Sequence, residues 1–512
     1  MFAQAVTSRG RRVAAAVPAP AARTLLGSRT MTTNNKTTTP IAKPIQDYTK
    51  YLTAVSLARQ PSAIRALQPI MAMPGMISLA GGLPNPATFP IANVELTLKN
   101  GAKISMGDTM TRAALQYGPT PGHPDLVAFF EKLQARVHGT PYANKQLERK
   151  ILVGNGSQDL LAKAINALVA PGDTLLVESP CYVGTLAILK PMVKAQGVKL
   201  AEVPTDAHGL IPDALDKILA DWPATSPKPR VLYTVPTGGN PTGNMAPIER
   251  RRAIYALAQK HDLVMLEDDP YYYLQFALPT TDAATQQLTP PADQATDVAL
   301  GDRYASALVP SYTSLDTDAR VIRFESLSKV ISAGLRVGLC TGPAPLVDRI
   351  ALDVQATSLQ PTGLSQAVIL ALAQHSWHGV PAGFLAHAAR VAAFYRSRRD
   401  ALLKAMSAVR LVEDGLVEMS VPQAGMFLWL KLKTVDDASA LVKGYATDRK
   451  VLLLPGIEFL PNAQPGEPCA FVRATYSTAT DEQMQEGMKR LRECIDLAMR
   501  DQQKQKQQAP KK

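Results

Sequence analysis

Val321-Ile322-Arg323-Phe324-Glu325-Ser326-Leu327-Ser328-Lys329, followed by Gly334-Leu335-Arg336-Val337-Gly338, is the stretch on which the reading of this chain turns. Val321–Phe324 predicts a short buried strand. It runs into hydroxyl residues, a lysine, and an arginine seven positions further on. A lysine so placed offers an amine nucleophile beside a clamp for an anion. Leu327, Val330 and Ile331 surround it, which favours a partly buried amine with a lowered pKa over a lysine in a charged surface loop.

Outward from this stretch the pattern alternates. Ile151–Gly154, Thr174–Val177, Val231–Val235 and Val264–Glu267 predict further buried strands, with helices at about Ser157–Leu168 and Pro247–His261. Strands alternating with helices predict an α/β fold with a mostly parallel sheet covered on both faces. In such a sheet ligands sit beyond the carboxyl ends of the strands, so functional residues should follow each strand. From about residue 365 the order changes. Helices over Ser365–Gln374 and Phe384–Ala408 precede strands near Met426–Leu432, Val451–Leu454 and Phe471–Ala474, then a last helix to about Met499. That is a smaller α+β domain with its own core. Leu278–Ser306, rich in Thr, Ala, Asp and Pro, reads as a loop: a surface insertion in preference to a functional flap. The expected organisation is a leader (1–46), an N-terminal arm (47–100), a large domain (101–364), a small domain (365–499) and a disordered basic tail (500–512).

The chain has 512 residues and a net charge of +12. That charge suggests nucleic acid until it is located. Residues 1–46 hold seven basic residues (Arg9, Arg11, Arg12, Arg23, Arg29, Lys36, Lys43) and no acid, and Arg500–Lys512 holds five basic residues and one acid. The body between is close to neutral and gives no support for a phosphate-backbone binder. The Arg-rich, acid-free start suits an organellar transit peptide better than a secretory signal, and Met31 could begin a shorter, cytosolic form. No apolar run approaches the roughly 18 residues of a membrane span. Cys181, Cys340, Cys469 and Cys494 are far apart and form no metal or redox pair.

The segments after the strands carry polar residues of complementary type. Gly156-Ser157-Gln158 opens a helix and can bind an anion, although a Ser cap is common on structural grounds alone. Tyr182, after Glu178-Ser179-Pro180-Cys181, could lie flat on a planar ligand or be a rim tyrosine. Pro236-Thr237-Gly238-Gly239-Asn240-Pro241-Thr242-Gly243 is a rigid turn that fixes one side-chain amide. In Asp268-Asp269-Pro270-Tyr271-Tyr272, a carboxylate three residues before a phenol can address two edges of one flat ligand.

Together these residues resemble the class I/II, fold-type I aminotransferases that use pyridoxal 5′-phosphate (PLP), over about Tyr51 to Leu497. The resemblance rests on Asn240-Pro241-Thr242-Gly243, the Asp269/Tyr272 pair, and Ser326-x-Ser328-Lys329 with Arg336. A nearer similarity, to kynurenine/2-aminoadipate and fungal aromatic aminotransferases, is carried by Pro61-Ser62-Ala63-Ile64-Arg65, Ile77–Pro86, Leu115-Gln116-Tyr117 and Glu267–Tyr272. It implies a seven-stranded, mostly parallel sheet. It also implies a homodimer sharing its active sites, amino-acid and 2-oxo-acid substrates, and a mitochondrial matrix location.

The implied roles follow. Lys329 holds PLP and then moves the proton between substrate Cα and C4′. Asp269 pairs with the ring nitrogen, Tyr272 and Asn240 hydrogen-bond the ring oxygen, and Tyr182 stacks on the ring. Ser157, Gln158, Ser326, Ser328 and Arg336 bind the phosphate, with Tyr117 reaching in from a second subunit. Arg473 takes the substrate α-carboxylate. Arg65, Gly82 and Asn240 complete the substrate side, Arg65 meeting a distal carboxylate or swinging aside for an aromatic. The chain departs from the relatives at Thr237-Gly238-Gly239, where an Asn-Gly-Asn type of turn is expected. A β-lyase or decarboxylase would share the cofactor residues, but Arg473 with the arm favours transamination. A transcriptional regulator would need a DNA-binding module ahead of the motifs.

Overall fold

The computed structural model describes residues 43–508 apart from 72, 81, 140–147, 280–284, 286–287, 289–292 and 465. Nearly all of the expected leader therefore lies outside the described residues. The central sheet has eight strands: β1 Arg149–Gly154, β2 Thr174–Ser179, β3 Lys199–Asp206, β4 Gly209–Leu210, β5 Val231–Thr234, β6 Val264–Asp268, β7 Val321–Ser326 and β8 Gly338–Pro343. Their spatial order is β1-β8-β7-β6-β5-β2-β3-β4. The five from β7 to β3 run parallel. β8 is antiparallel to both its neighbours, and two-residue β4 is antiparallel to β3. The expected seven strands are thus eight. β8 was hidden in sequence by its two glycines, a threonine and a proline. Gly338 is required there, because a Cβ would sit 2.4 Å from the Ser157 amide nitrogen.

The parallel strands are apolar on both faces because both are covered. Val264 and Leu266 of β6 face one side, with Val177, Tyr233, Ile322 and Phe324, against Leu160, Leu161, Ala164 and Ile165 of the helix Ser157–Leu168. Met265 faces the other side with Leu176, Leu232 and Val321, against Ile254 of the helix Ile248–Lys260. Each such fully buried side chain stabilises the fold by about 1.5–3 kcal/mol. The strict alternation fixes which face every later residue addresses.

In the C-terminal sheet, Phe427–Leu432 lies between Val417–Glu418 and Phe471–Thr475, with Leu454–Pro455 on the outer side. The strand expected at Val451–Leu454 is only the two-residue Leu454–Pro455. Two further expectations are corrected. Much of the Leu278–Ser306 segment is a helix, Gln294–Ala307, capped by Asp293 and packed along the long helix Pro381–Ala408. Gly301 marks their closest approach, since a Cβ would lie 1.9 Å from the Ala382 carbonyl oxygen. Asp297 and Arg390 form a buried ion pair between them. The last helix does not stop near Met499 but spans Asp481–Gln508. Its extension is fastened by Tyr445, whose hydroxyl donates to Asp501 Oδ2 at 2.6 Å. Among the described residues no helix is long and apolar enough to cross a membrane.

Candidate active site

At the carboxyl ends of these strands a cavity of about 140 Å³ opens beside Lys329. Its wall includes Ser157, Gln158, Tyr182, Asn240, Asp268, Tyr271, Ser326, Ser328 and Arg336. Seven predicted residues, Ser157, Gln158, Tyr182, Asn240, Ser326, Ser328 and Arg336, are therefore brought together with Lys329, and Asp268 and Tyr271 of the same wall stand next in sequence to predicted ones. Asp269 and Tyr272 do not line the cavity, which corrects the expectation for both. Asp268 ends β6 in phase with Val264 and Leu266, on the face of the helix Ser157–Leu168. Asp269 emerges on the opposite side, where Arg323 Nη1 lies 3.0 Å from its Oδ2. Tyr272 is buried there too, with the Arg323 guanidinium over its ring at 4.4 Å.

Lys329 closes a short 3₁₀ turn, Leu327–Lys329, capped by Ser326, whose Oγ accepts the Ser328 amide at 3.2 Å. From the long helix, His387 Nε2 lies 2.9 Å from the Val330 carbonyl oxygen and fixes the next residue. Burial, then Arg336 and Arg473, lower the Lys329 pKa. More of this amine is therefore neutral and nucleophilic than for a solvated lysine.

At one end of the cavity the helix Ser157–Leu168 begins without a side-chain cap. Gly156 holds φ +94° at its N-cap. Its first amides are left for an anion. Arg336 stands against Gly156 so closely that a Cβ there would lie 2.4 Å from Nη2. Arg336 Nη1 also donates to Ser328 Oγ at 3.3 Å. Ser157, Ser326, Ser328 and Arg336 thus form an anion-binding end. Gln158 Nε2 is instead turned to the Gly184 carbonyl at 2.7 Å.

At the other end lies Asp268. Tyr233 donates its hydroxyl to Oδ2 at 2.9 Å and is itself met by Thr185 Oγ1 at 2.8 Å. Burial pushes the Asp268 pKa up to about 7. The nearby buried cation, Arg323, is committed to Glu267, Asp269 and Glu325. A buried carboxylate facing a cavity, with no ion-pair partner among the described residues, is suited to a ligand's cation. An anion site at one end and an acid at the other fit the phosphate and ring nitrogen of PLP, with Lys329 between.

Asn240 connects this cavity to the C-terminal sheet. Its Oδ1 accepts from Arg473 Nη1 at 2.7 Å, which leaves the amide Nδ2 as donor. Arg473, on Phe471–Thr475, lies over the rings of Phe427 and Phe459, 4.5 and 5.2 Å from their centroids. It stands behind Asn240 and is not part of the cavity wall. Tyr117, Arg65 and Gly82 are also outside this wall. Arg65 Nη1 donates to the Gly118 carbonyl at 2.6 Å, so Arg65 and the Tyr117 segment are held together. Tyr117 is half exposed, and among the described residues beyond its chain neighbours none lies within 4 Å of where a Gly82 Cβ would be.

Sequence reading overlooked Tyr233, which orients Asp268, and Glu178. Glu178 accepts from Thr234 Oγ1 at 2.5 Å and the Val235 amide at 3.0 Å, at the root of the Asn240 turn. Tyr233 is in a strand that reads as a plain apolar run, where period-two phasing would have aimed it at Asp268, and Glu178 directly follows the run Thr174–Val177.

The family model for aminotransferase class I and II matches residues 90–491. A bovine protein, the mitochondrial kynurenine/alpha-aminoadipate aminotransferase of Bos taurus, is 39% identical over 460 residues, covering 88% of this chain and 99% of its own. An aromatic amino acid aminotransferase of Schizosaccharomyces pombe is 31% identical over 486 residues, covering 88% of this chain and 96% of its own. Among solved structures, aminotransferase Aro8 of Candida albicans superimposes with a TM-score of 0.76 at 28% identity, covering 90% of this chain and all of that one. The chain belongs to the class I and II aminotransferases.

Proposed function

We propose that this PLP-dependent aminotransferase takes 2-aminoadipate, kynurenine or aromatic amino acids as donors and 2-oxoglutarate as acceptor, giving the 2-oxo acid and glutamate. The observation that carries the reading of the site is the convergence of Lys329, Asp268, Tyr271, Asn240 and the Ser157/Arg336 anion end on one cavity. The donor class is supported by the bovine and fungal relatives.

PLP, when bound, supplies an acceptor for the electrons left at the substrate Cα. The chain's own residues do the rest. Asp268 would keep the ring nitrogen protonated by presenting a buried charge that has no ion-pair partner among the described residues. Tyr271 and the Asn240 amide would hold the ring oxygen, and Tyr182 would offer its ring to the cofactor. Ser157, Ser326, Ser328 and Arg336 bind the phosphate, with Gln158 at the same helix end. Lys329, partly neutral, would be the base that takes the proton from the substrate Cα and the acid that gives it back beyond the substrate nitrogen. Arg473 receives the α-carboxylate, already aligned through Asn240.

A homodimer completes the site in this reading. The arm leaves Ile77 85% and Leu79 96% exposed, apolar surface that a second copy would cover. Tyr117 and Arg65, tied together but outside their own cavity, would reach the partner's. Residues 1–46 would direct the enzyme to the mitochondrial matrix, and the destination of a reporter carrying them tests this.

The deciding experiment replaces Lys329. Purified enzyme should show a visible cofactor band that is lost on adding an amino donor. Lys329→Ala should abolish turnover of 2-aminoadipate and kynurenine with 2-oxoglutarate, and persisting turnover would sink the mechanism.

A further inference from the structure

We propose that Thr237 and Asp269 are positioning residues: their hydrogen bond ties the turn carrying Asn240 to the strand end carrying Asp268, and so sets the geometry around the cofactor ring. This rests on the site reading above. Asp269 follows Asp268 but faces away from the cavity, into a buried cluster of one guanidinium and three carboxylates. Arg323 lies 3.0 Å from Glu267 Oε1, 3.0 Å from Asp269 Oδ2 and 3.4 Å from Glu325 Oε1. Such a cluster costs more to bury than well-packed apolar residues and is a weak source of stability. Its value lies in what it holds in place.

It holds the Asn240 turn. Thr237 Oγ1 donates to Asp269 Oδ2 at 3.1 Å and accepts from Arg251 Nη2 at 2.9 Å. The same Arg251 donates to the Pro236 carbonyl at 3.1 Å and, through Nε, to the Ala246 carbonyl at 2.9 Å. Both ends of the turn are thereby pinned, and Thr237 anchors it to β6. On its far side the turn presses backbone on backbone. A Cβ at Gly238 would meet Gly425 Cα at 2.8 Å, and one at Gly243 would meet the Phe427 carbonyl oxygen at 2.5 Å. Gly425 and Phe427 lead the strand that pairs with the Arg473 strand. The turn is therefore wedged between the ring acid and the carboxylate-binding arginine. Asn240, three residues after Thr237, touches Arg473 directly. Moving the Thr237 hydroxyl moves both.

The test uses Thr237→Val, which keeps the shape and removes the hydroxyl, with Thr237→Ser as the conservative variant. PLP affinity is measured by equilibrium dialysis, and the pH midpoint of the visible band by titration. Thr237→Val is expected to bind PLP about tenfold more weakly, the effect of one buried hydrogen bond. Its midpoint should move upward as the Asn240 donor loosens, while Thr237→Ser stays near wild type. Unchanged affinity and midpoint in Thr237→Val would overturn the proposal, as would equal losses in both variants. Should Thr237→Val not fold, Thr237→Ala, which likewise removes the hydroxyl that donates to Asp269, is read by the same two measurements. There a shift in both supports the proposal and no shift overturns it. Asp268→Asn separates the two readings. If it leaves affinity and midpoint unchanged, the site itself is misread; if it changes them while Thr237→Val does not, only this proposal fails.

Discussion

Replacing Asp268 by Asn should stabilise the empty protein while crippling the enzyme, and the size of both effects follows from its surroundings. Burial raises the Asp268 pKa from 3.8 to about 7. The native form thus keeps its proton through a pH range in which the unfolded chain has lost it. Stability falls as pH rises through that window, and the full cost is present above pH 7. The shift corresponds to about 4 kcal/mol, at 1.36 kcal/mol for each tenfold change. Water entering the cavity screens part of this, leaving about 2 kcal/mol. Asn accepts the Tyr233 hydroxyl equally well, so little else changes. Cofactor-free Asp268→Asn should therefore melt about 2–4 °C above cofactor-free wild type at pH 8, with the difference vanishing near pH 4. With PLP bound the sign reverses. Losing a charge-assisted hydrogen bond to the ring costs roughly 3 kcal/mol, or about a hundredfold in kcat/KM. Scanning calorimetry of stripped protein at the two pH values, with steady-state kinetics of the loaded enzyme, checks both. Unchanged melting at pH 8 together with near-normal turnover would refute the assignment. The same pair of effects from Asp269→Asn instead of Asp268→Asn would mean that the strand phase has been misread.

Two further outcomes concern the arm. Arg65→Ala should raise KM for dicarboxylic donors by up to about fivefold, the worth of one largely exposed ion pair, while changing aromatic donors less; equal losses for both would remove its specificity role. Leu79→Asp places a charge on a side chain that is 96% exposed in the single chain. It should shift the protein from dimer to monomer in light scattering, with activity falling in parallel because Tyr117 and Arg65 no longer reach a partner. A monodisperse, fully active monomer would overturn the shared-site reading.

What the sequence made legible, and what it hid, divides along physical lines. Lys329, Arg336, Ser157 and Asn240 could be found because each follows a strand and each is the single residue of its type in its turn. The acid and the phenol could not be chosen that way. Glu267-Asp268-Asp269 offers three carboxylates in a row and Tyr271-Tyr272-Tyr273 three phenols. Residue type and motif spacing are satisfied equally by Asp268/Tyr271 and Asp269/Tyr272, each three apart. Only the phase of β6 separates them: Val264, Leu266 and Asp268 share the face of the helix whose first amides form the anion end. The helix Gln294–Ala307 was hidden for a different reason. Its Thr, Asp and Gly lower local propensity, and tertiary contacts with Pro381–Ala408, through Gly301 and the Asp297–Arg390 pair, override that preference. Arg65, Tyr117 and Gly82 illustrate a third limit. Their motifs are clear, yet in one chain they lie beside one another or in the open and not at Lys329, so in the proposed reading their chemistry depends on a surface the chain presents to its copy. The adjacent acids then acquire distinct uses. In the proposed reading one face of β6 gives Asp268 to the ligand and the other gives Asp269 to the turn that carries Asn240, so a single strand end would serve as both contact and brace.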